Sequence, residues 1–218
     1  MTCRPLSVLE GTDAEALKLL LRLHCDVEQP RILDCTYNVG KMWKGLPFKP
    51  HRMDIDPSLD VDTVADFTAM PFDDGSFDVL VFDPPHLPVA AASEGSSKIW
   101  EQQYGITDSC EHRQGDNVSP LFPLFLREAK RVLREDGIIL AKIADLTHNH
   151  RYQWQHVDFI NAVFATGMTP CDALIKRDPK AGNLKSSKWQ NVKHLRKAHC
   201  YWIVVRNSRR CECRKKEA

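Results

Sequence analysis

One short run limits what this chain can fold into more than any other. Phe77-Asp78-Val79-Leu80-Val81-Phe82 is apolar and β-branched, and it ends in Asp83-Pro84-Pro85-His86. Such a run reads as a strand buried on both faces of a parallel sheet. Open α/β sheets bind ligands beyond the carboxyl ends of their strands. An acid, two prolines and a ring at that end therefore stand where chemistry would be done. The two prolines fix their own dihedrals and stiffen the turn.

The rest of the chain supplies a sheet for this strand. Strands are expected at 31–37, 52–55, 61–65, 78–82, 138–143, 172–176 and 201–205, which makes seven. Helices are expected over 13–24, 121–135 and 155–166. Thr12 or Asp13 would cap the first, and Asp136-Gly137 and Gly167 would stop the other two. Alternating strands and helices predict an α/β fold with a doubly wound, mostly parallel seven-stranded sheet. Only residues 41–51 separate the first two strands, so a helix there can have about two turns at most. At 218 residues the chain reads as one domain, 1–218, with its core at about 31–206.

Three loops leave strand ends carrying polar groups. Asp34-Cys35-Thr36-Tyr37-Asn38-Val39-Gly40 follows the first strand. A tight turn close to a ligand asks for glycine, and next for asparagine, which tolerates the left-handed region. Asp54 and Asp56 end the second strand, and Asp66-Phe67 follow the third. A carboxylate at the second strand end suits ribose hydroxyls. Taken singly, each acid reads equally well as a solvated loop residue. It is their order with Asp83 that argues for a site.

These motifs together resemble the S-adenosylmethionine-dependent amino-methyltransferases. That family carries an Asp/Asn/Ser-Pro-Pro-aromatic motif and an acid-x-x-x-Gly-x-Gly loop. Here Asn38 stands for the first glycine and His86 for the usual tyrosine, phenylalanine or tryptophan. The resemblance implies a Rossmann-like methyltransferase fold and S-adenosylmethionine as cofactor. It implies Asp34, Tyr37, Asn38, Gly40, Asp54 or Asp56, Asp66 and Phe67 as cofactor-binding residues. It also implies that Asp83 and the Pro84 carbonyl accept hydrogen bonds from the target amine, with Pro85 and His86 completing the motif. The implied substrate is an exocyclic amine of a nucleobase, with DNA favoured over RNA. Protein amides, small-molecule amines and a decayed nucleotide-binding module are the other readings.

Further residues extend the expected cleft. Residues 87–118 lack periodicity and read as a lid or target-recognition loop, with disorder as the competing reading. Lys142 and Trp154 follow the fifth strand and are candidates for substrate contact; a polar loop around a packed tryptophan is an equal reading. Net charge is +1, yet 14 of the 30 lysines and arginines fall in 176–218 against three acids. That asymmetry suggests phosphate contact, and 207–218 reads as a basic, flexible tail. A chain of this size without an added recognition domain is compatible with a protein partner for target recognition. Eight cysteines are scattered without a Cys-x-x-Cys pair, so no metal site is expected. No membrane span or signal segment is evident, and a cytoplasmic location is expected.

Overall fold

The computed structural model describes residues 5–85, 118–148, 151–177, 195 and 197–208. His86, nearly all of the expected lid (87–117) and the tail from 209 onward lie outside them, as do all the basic residues between 178 and 196.

Strand β1 is Val8–Glu10 and helix α1 is Asp13–His24. Strands β2 (Ile32–Asp34), β3 (His51–Asp54), β4 (Thr63–Val64) and β5 (Phe77–Phe82) follow. Helix α2 (Phe122–Val132) leads directly into β6 (Leu133–Ile143). A short hairpin, β7 (Leu146–His148) and β8 (Arg151–Gln153), precedes α3 (Gln155–Thr166). Strands β9 (Thr169–Arg177) and β10 (His199–Arg206) complete the described elements.

The main sheet has eight strands in the order β1-β9-β10-β6-β5-β2-β3-β4. The mostly parallel arrangement is as expected, because β10 alone runs antiparallel to its neighbours. The count of seven is corrected to eight. The added strand is β1, which pairs parallel with β9 from Val8↔Ile175 to Glu10↔Arg177. Three residues are too few to show the two-residue period by which a strand is recognised.

Alternate residues along β5 and β6 feed two cores. Val79, Val81, Ile138 and Leu140 pack with Leu17, Leu20 and Leu21 of α1 and with Trp43. Leu80, Phe82, Ile139 and Ala141 pack with Phe125, Leu126 and Ala129 of α2 and Phe159 of α3. The rings of Phe82 and Phe125 stack at 3.7 Å and 8°. The sheet is thus covered on both faces, and its strand ends lie at the rim of both cores.

Local chemistry sets the element boundaries. Thr12 and Glu15 form a reciprocal capping box at α1, the arrangement that satisfies two otherwise orphaned amides. The connection between β2 and β3 is even shorter than the spacing required, a single 3-10 turn at Lys41–Trp43. Helix α2 ends three residues earlier than expected, and β6 begins at once. The bend expected to stop the helix lies inside β6 instead, where Asp136 has φ 60°. A Cβ on Gly137 would come within 3.1 Å of the Arg134 and Asp78 carbonyls, so close backbone approach demands glycine there.

A candidate cofactor and amine-acceptor site at the strand ends

The carboxyl ends of β2, β3, β4 and β5 lie side by side, and each delivers an acid. Asp34 closes β2 and is fully buried. Its Oδ2 accepts from the Trp43 indole at 2.6 Å and its Oδ1 from the Thr36 amide at 3.1 Å. Burial pushes its carboxyl up to about 7, against the lowering effect of those two bonds; Asp83 and Asp54 push the same way. Burial disfavours the charged form, and near carboxylates add repulsion.

The loop after β2 makes its turn with two left-handed residues, Asn38 at φ 53° and Gly40 at φ 63°. Asparagine takes the conformation that glycine would, as the sequence suggested. Gly40 is constrained twice, since a Cβ there would lie 2.3 Å from the Tyr37 hydroxyl oxygen. The loop amides are largely engaged within the protein. Thr36 donates to Asp34, Tyr37 to the Met53 carbonyl, Asn38 to Asp54 Oδ2 at 2.8 Å, and Gly40 to the Tyr37 carbonyl.

Asp54 therefore binds the loop as well as ending β3. It also accepts from the Asp56 amide at 3.2 Å, and burial raises its carboxyl above the usual range despite these bonds. The Ile55 amide contributes as well; a carboxylate offers about four acceptor sites, so capacity remains for a hydroxyl group. Asp56 is buried and accepts from the Ser58 amide. Asp66 accepts from both the amide and the hydroxyl of Thr68 at 2.8 Å. Phe67 packs edge-on against Phe82 and Phe125, so it belongs partly to the core. The Arg52 guanidinium stands 5.8 Å above the Tyr37 ring.

Asp83 joins this group directly. Its amide donates to Thr36 Oγ1 at 2.8 Å, which ties the motif strand to the loop after β2. Its Oδ2 accepts from Lys142 Nζ at 2.9 Å. Pro84 is buried and Pro85 partly so. Lys142 also reaches Asp13 Oδ2 at 3.2 Å, and Lys176 reaches Asp13 Oδ1 at 2.9 Å. Burial would lower the Lys142 ammonium, but the Asp83 and Asp13 carboxylates outweigh it and raise it.

Trp154 belongs to a second group, with Tyr152 and His156 at the start of α3. The residue is 56% exposed, and its ring lies 4.3 Å from that of Tyr152. Lys197 stands 3.6 Å over the Tyr152 ring. Behind them Asp145 is buried and accepts from Tyr152 at 2.7 Å and from both the amide and Nδ1 of His156. The His156 ring stacks on Tyr201 at 4.2 Å.

Thr36, Asp13 and Lys176 carry contacts that the sequence does not signal. Asp13 reads there only as a helix-start acid, and its link to Lys142 spans 129 positions. Among the described residues, no group of three or more His, Cys, Asp or Glu could hold a metal ion. No helix among them is long and apolar enough to cross a membrane.

No family model and no curated protein matches the sequence. Solved structures do. A 1,6-didemethyltoxoflavin-N1-methyltransferase of Burkholderia thailandensis, with its substrate and S-adenosylhomocysteine bound, aligns with TM-score 0.52 and 12% identity. The alignment covers 90% of this chain and 76% of that one. The fold is a Rossmann-like methyltransferase fold. A candidate methyltransferase of Haloferax volcanii, in complex with the Trm112 methyltransferase activator, aligns with TM-score 0.52, 12% identity and 88% of each chain covered. A candidate DNA modification methylase of Thermus thermophilus, complexed with S-adenosyl-L-methionine, gives TM-score 0.39 and 14% identity over 67% of this chain. The matched part spans about half (51%) of that Thermus protein.

Proposed function

We propose that this protein is an S-adenosylmethionine-dependent methyltransferase acting on an exocyclic amine of a nucleobase, with DNA as the favoured nucleic acid. The observation that carries the reading is the Asp83 amide bonded to Thr36 Oγ1. It sets the Asp-Pro-Pro motif beside the loop and acids that suit a nucleoside. The Burkholderia fold neighbour, with the demethylated product of the cofactor bound, supports the same choice of cofactor.

The residues fit such a cofactor. Asp54, or Asp56 beside it, would accept from the ribose hydroxyls, and Asp66 from the adenine amine with Phe67 alongside. Asp34, Tyr37, Asn38 and Gly40 would shape the loop around it. The cofactor supplies a methyl group on a sulfonium. Asp83 and the Pro84 carbonyl would accept the hydrogens of the target amine, concentrating its lone pair on nitrogen and fixing its approach. His86 would flank the target ring, and Trp154 would stack a base. In duplex DNA the target base would first leave the stack. A protein partner for target recognition belongs to the same proposal, as the Haloferax methyltransferase has an activator.

Calorimetric titration with S-adenosylmethionine, with Asp54→Ala alongside, tests the cofactor site. Micromolar binding that weakens about tenfold or more in the variant is expected, which corresponds to about 1.4 kcal/mol. A tritiated-methyl screen over DNA, RNA, protein and small amines then tests the substrate. Absence of binding by folded protein sinks the reading; label in protein or small amines alone moves it away from nucleobases.

A further inference from the structure

Asp83 is the end of a partly buried chain of alternating charge: Asp83, Lys142, Asp13, Lys176. Successive pairs are 2.9, 3.2 and 2.9 Å apart. All four side chains are 25% exposed or less. They come from four places in the sequence: the carboxyl ends of β5, β6 and β9, and the first turn of α1. The chain sums to zero charge, which is the condition under which charges can be buried without large cost.

The alternation has a chemical consequence. An ionised carboxylate is the stronger acceptor of amine hydrogens, because a protonated acid spends one oxygen as a donor and carries no charge. Burial alone would drive Asp83 toward the protonated form. Lys142 opposes this at 2.9 Å. Asp13 in turn compensates Lys142, and Lys176 compensates Asp13. The Thr36 hydroxyl fixes the Asp83 backbone at the same point.

We propose that Lys142 is a positioning residue: braced by Asp13 and Lys176, its ammonium holds Asp83 as an ionised, oriented acceptor of the target amine's hydrogens. The inference rests on the functional reading above and deepens it. Lys142 then acts through Asp83 rather than on the substrate itself. Asp34 interacts electrostatically with Asp83. The Cys200 thiol near Lys142 is pushed up to about 11 by burial, so it is neutral at ordinary pH. Without the ammonium, Asp83 faces Asp13 and Asp34 with the Lys142 charge gone from Oδ2, and its ionisation must move to higher pH.

The test follows the Asp83 carboxyl carbon by NMR in the intact protein between about pH 3 and 9, with Asp83→Asn assigning the resonance. In the wild type, Asp83 should ionise at or below the ordinary carboxylate value of about 4. In Lys142→Met the midpoint should rise by about one unit or more, and in Lys142→Arg it should stay within about half a unit of wild type. A wild-type midpoint above about 5 overturns the proposal whether or not any variant folds. So does an unchanged midpoint in folded Lys142→Met. In parallel, methyl transfer by Lys142→Met should lose turnover on the acid side, with affinity for S-adenosylmethionine unchanged and recovery in Lys142→Arg. If the wild type methylates nothing, the functional reading falls, while the NMR midpoints still decide whether Lys142 sets the state of Asp83.

Discussion

Asp34 shows how one residue can cost the fold stability in order to shape a site. Its carboxyl is pushed up to about 7 by burial, with the Trp43 and Thr36 bonds only partly offsetting that. In the unfolded chain it ionises near the usual value of about 4. Between these values the native state holds a proton that the unfolded state has lost. Stability therefore falls as pH rises from about 4 to about 7 and levels off above that. Asp34→Asn removes the titration and carries a fixed penalty, because an amide has one oxygen for the two donors. The stability of wild type relative to Asp34→Asn should thus drop by up to about 4 kcal/mol over that range, at about 1.36 kcal/mol per unit. Urea unfolding of both proteins at about pH 4.5 and 8 measures it; a difference independent of pH would refute the buried-acid account. The candidate site's loop was legible in the sequence where backbone chemistry leaves a mark. Asn38 and Gly40 announce a left-handed turn, and the structure has φ 53° and 63° there. The partners of Asp83 were not legible, because an ion pair between residues 83 and 142, and then 13, leaves no local pattern.

Two helices show local and borrowed capping side by side. Helix α1 is capped by its own Thr12, with the Glu15 side chain returning a bond to the Thr12 amide. Helix α3 has no side-chain cap from its own N-cap residue, Trp154. Asp145 supplies one from outside, accepting from the His156 amide at 3.1 Å while also holding Tyr152 and His156 Nδ1. Thr12→Ala should cost about 1 kcal/mol, the usual loss of a cap. Asp145→Ala should cost about 3 kcal/mol, since it leaves three donors in a partly buried place without their acceptor. Denaturant unfolding compares the two directly, and equal losses would contradict the borrowed cap. The same contrast explains which elements could be read in advance. Helix α1 carries its signal within its own residues and begins and ends where expected. The β7–β8 hairpin is held by the Tyr152 bond to Asp145 and by Lys197 over the Tyr152 ring, neither of which has a periodic signature. Strand β1 exists because β9 offers it an edge.

At the scale of the molecule, the sheet was legible because its central strands are buried on both faces and so are written as apolar runs. The eight-strand order adds an edge strand to the seven expected. What the topology adds is a division of charge along the chain. The strand ends that gather Asp34, Asp54, Asp66 and Asp83 come from the first part of the sequence, whereas 14 of the 30 lysines and arginines fall in 176–218 with only three acids. A near-neutral total of +1 thus conceals acidic strand ends and a basic C-terminal stretch. If that stretch meets phosphate, each neutralised phosphate releases condensed counterion, and affinity falls linearly on a logarithmic salt scale. The five basic residues Arg209, Arg210, Arg214, Lys215 and Lys216 can be removed by ending the chain after Ser208, which leaves the Thr169 to Ser208 contact that closes β9 against β10 intact. Binding of a fluorescent oligonucleotide, measured by anisotropy across about 50–200 mM salt, should weaken steeply in the full chain. For single-stranded DNA the slope should fall by about 0.7 for each lost phosphate contact, against about 0.9 for duplex. S-adenosylmethionine affinity should be the same in both proteins, because the strand-end site is untouched. A slope unchanged by the truncation would remove the tail from the interface and leave phosphate contact to the residues between 176 and 206.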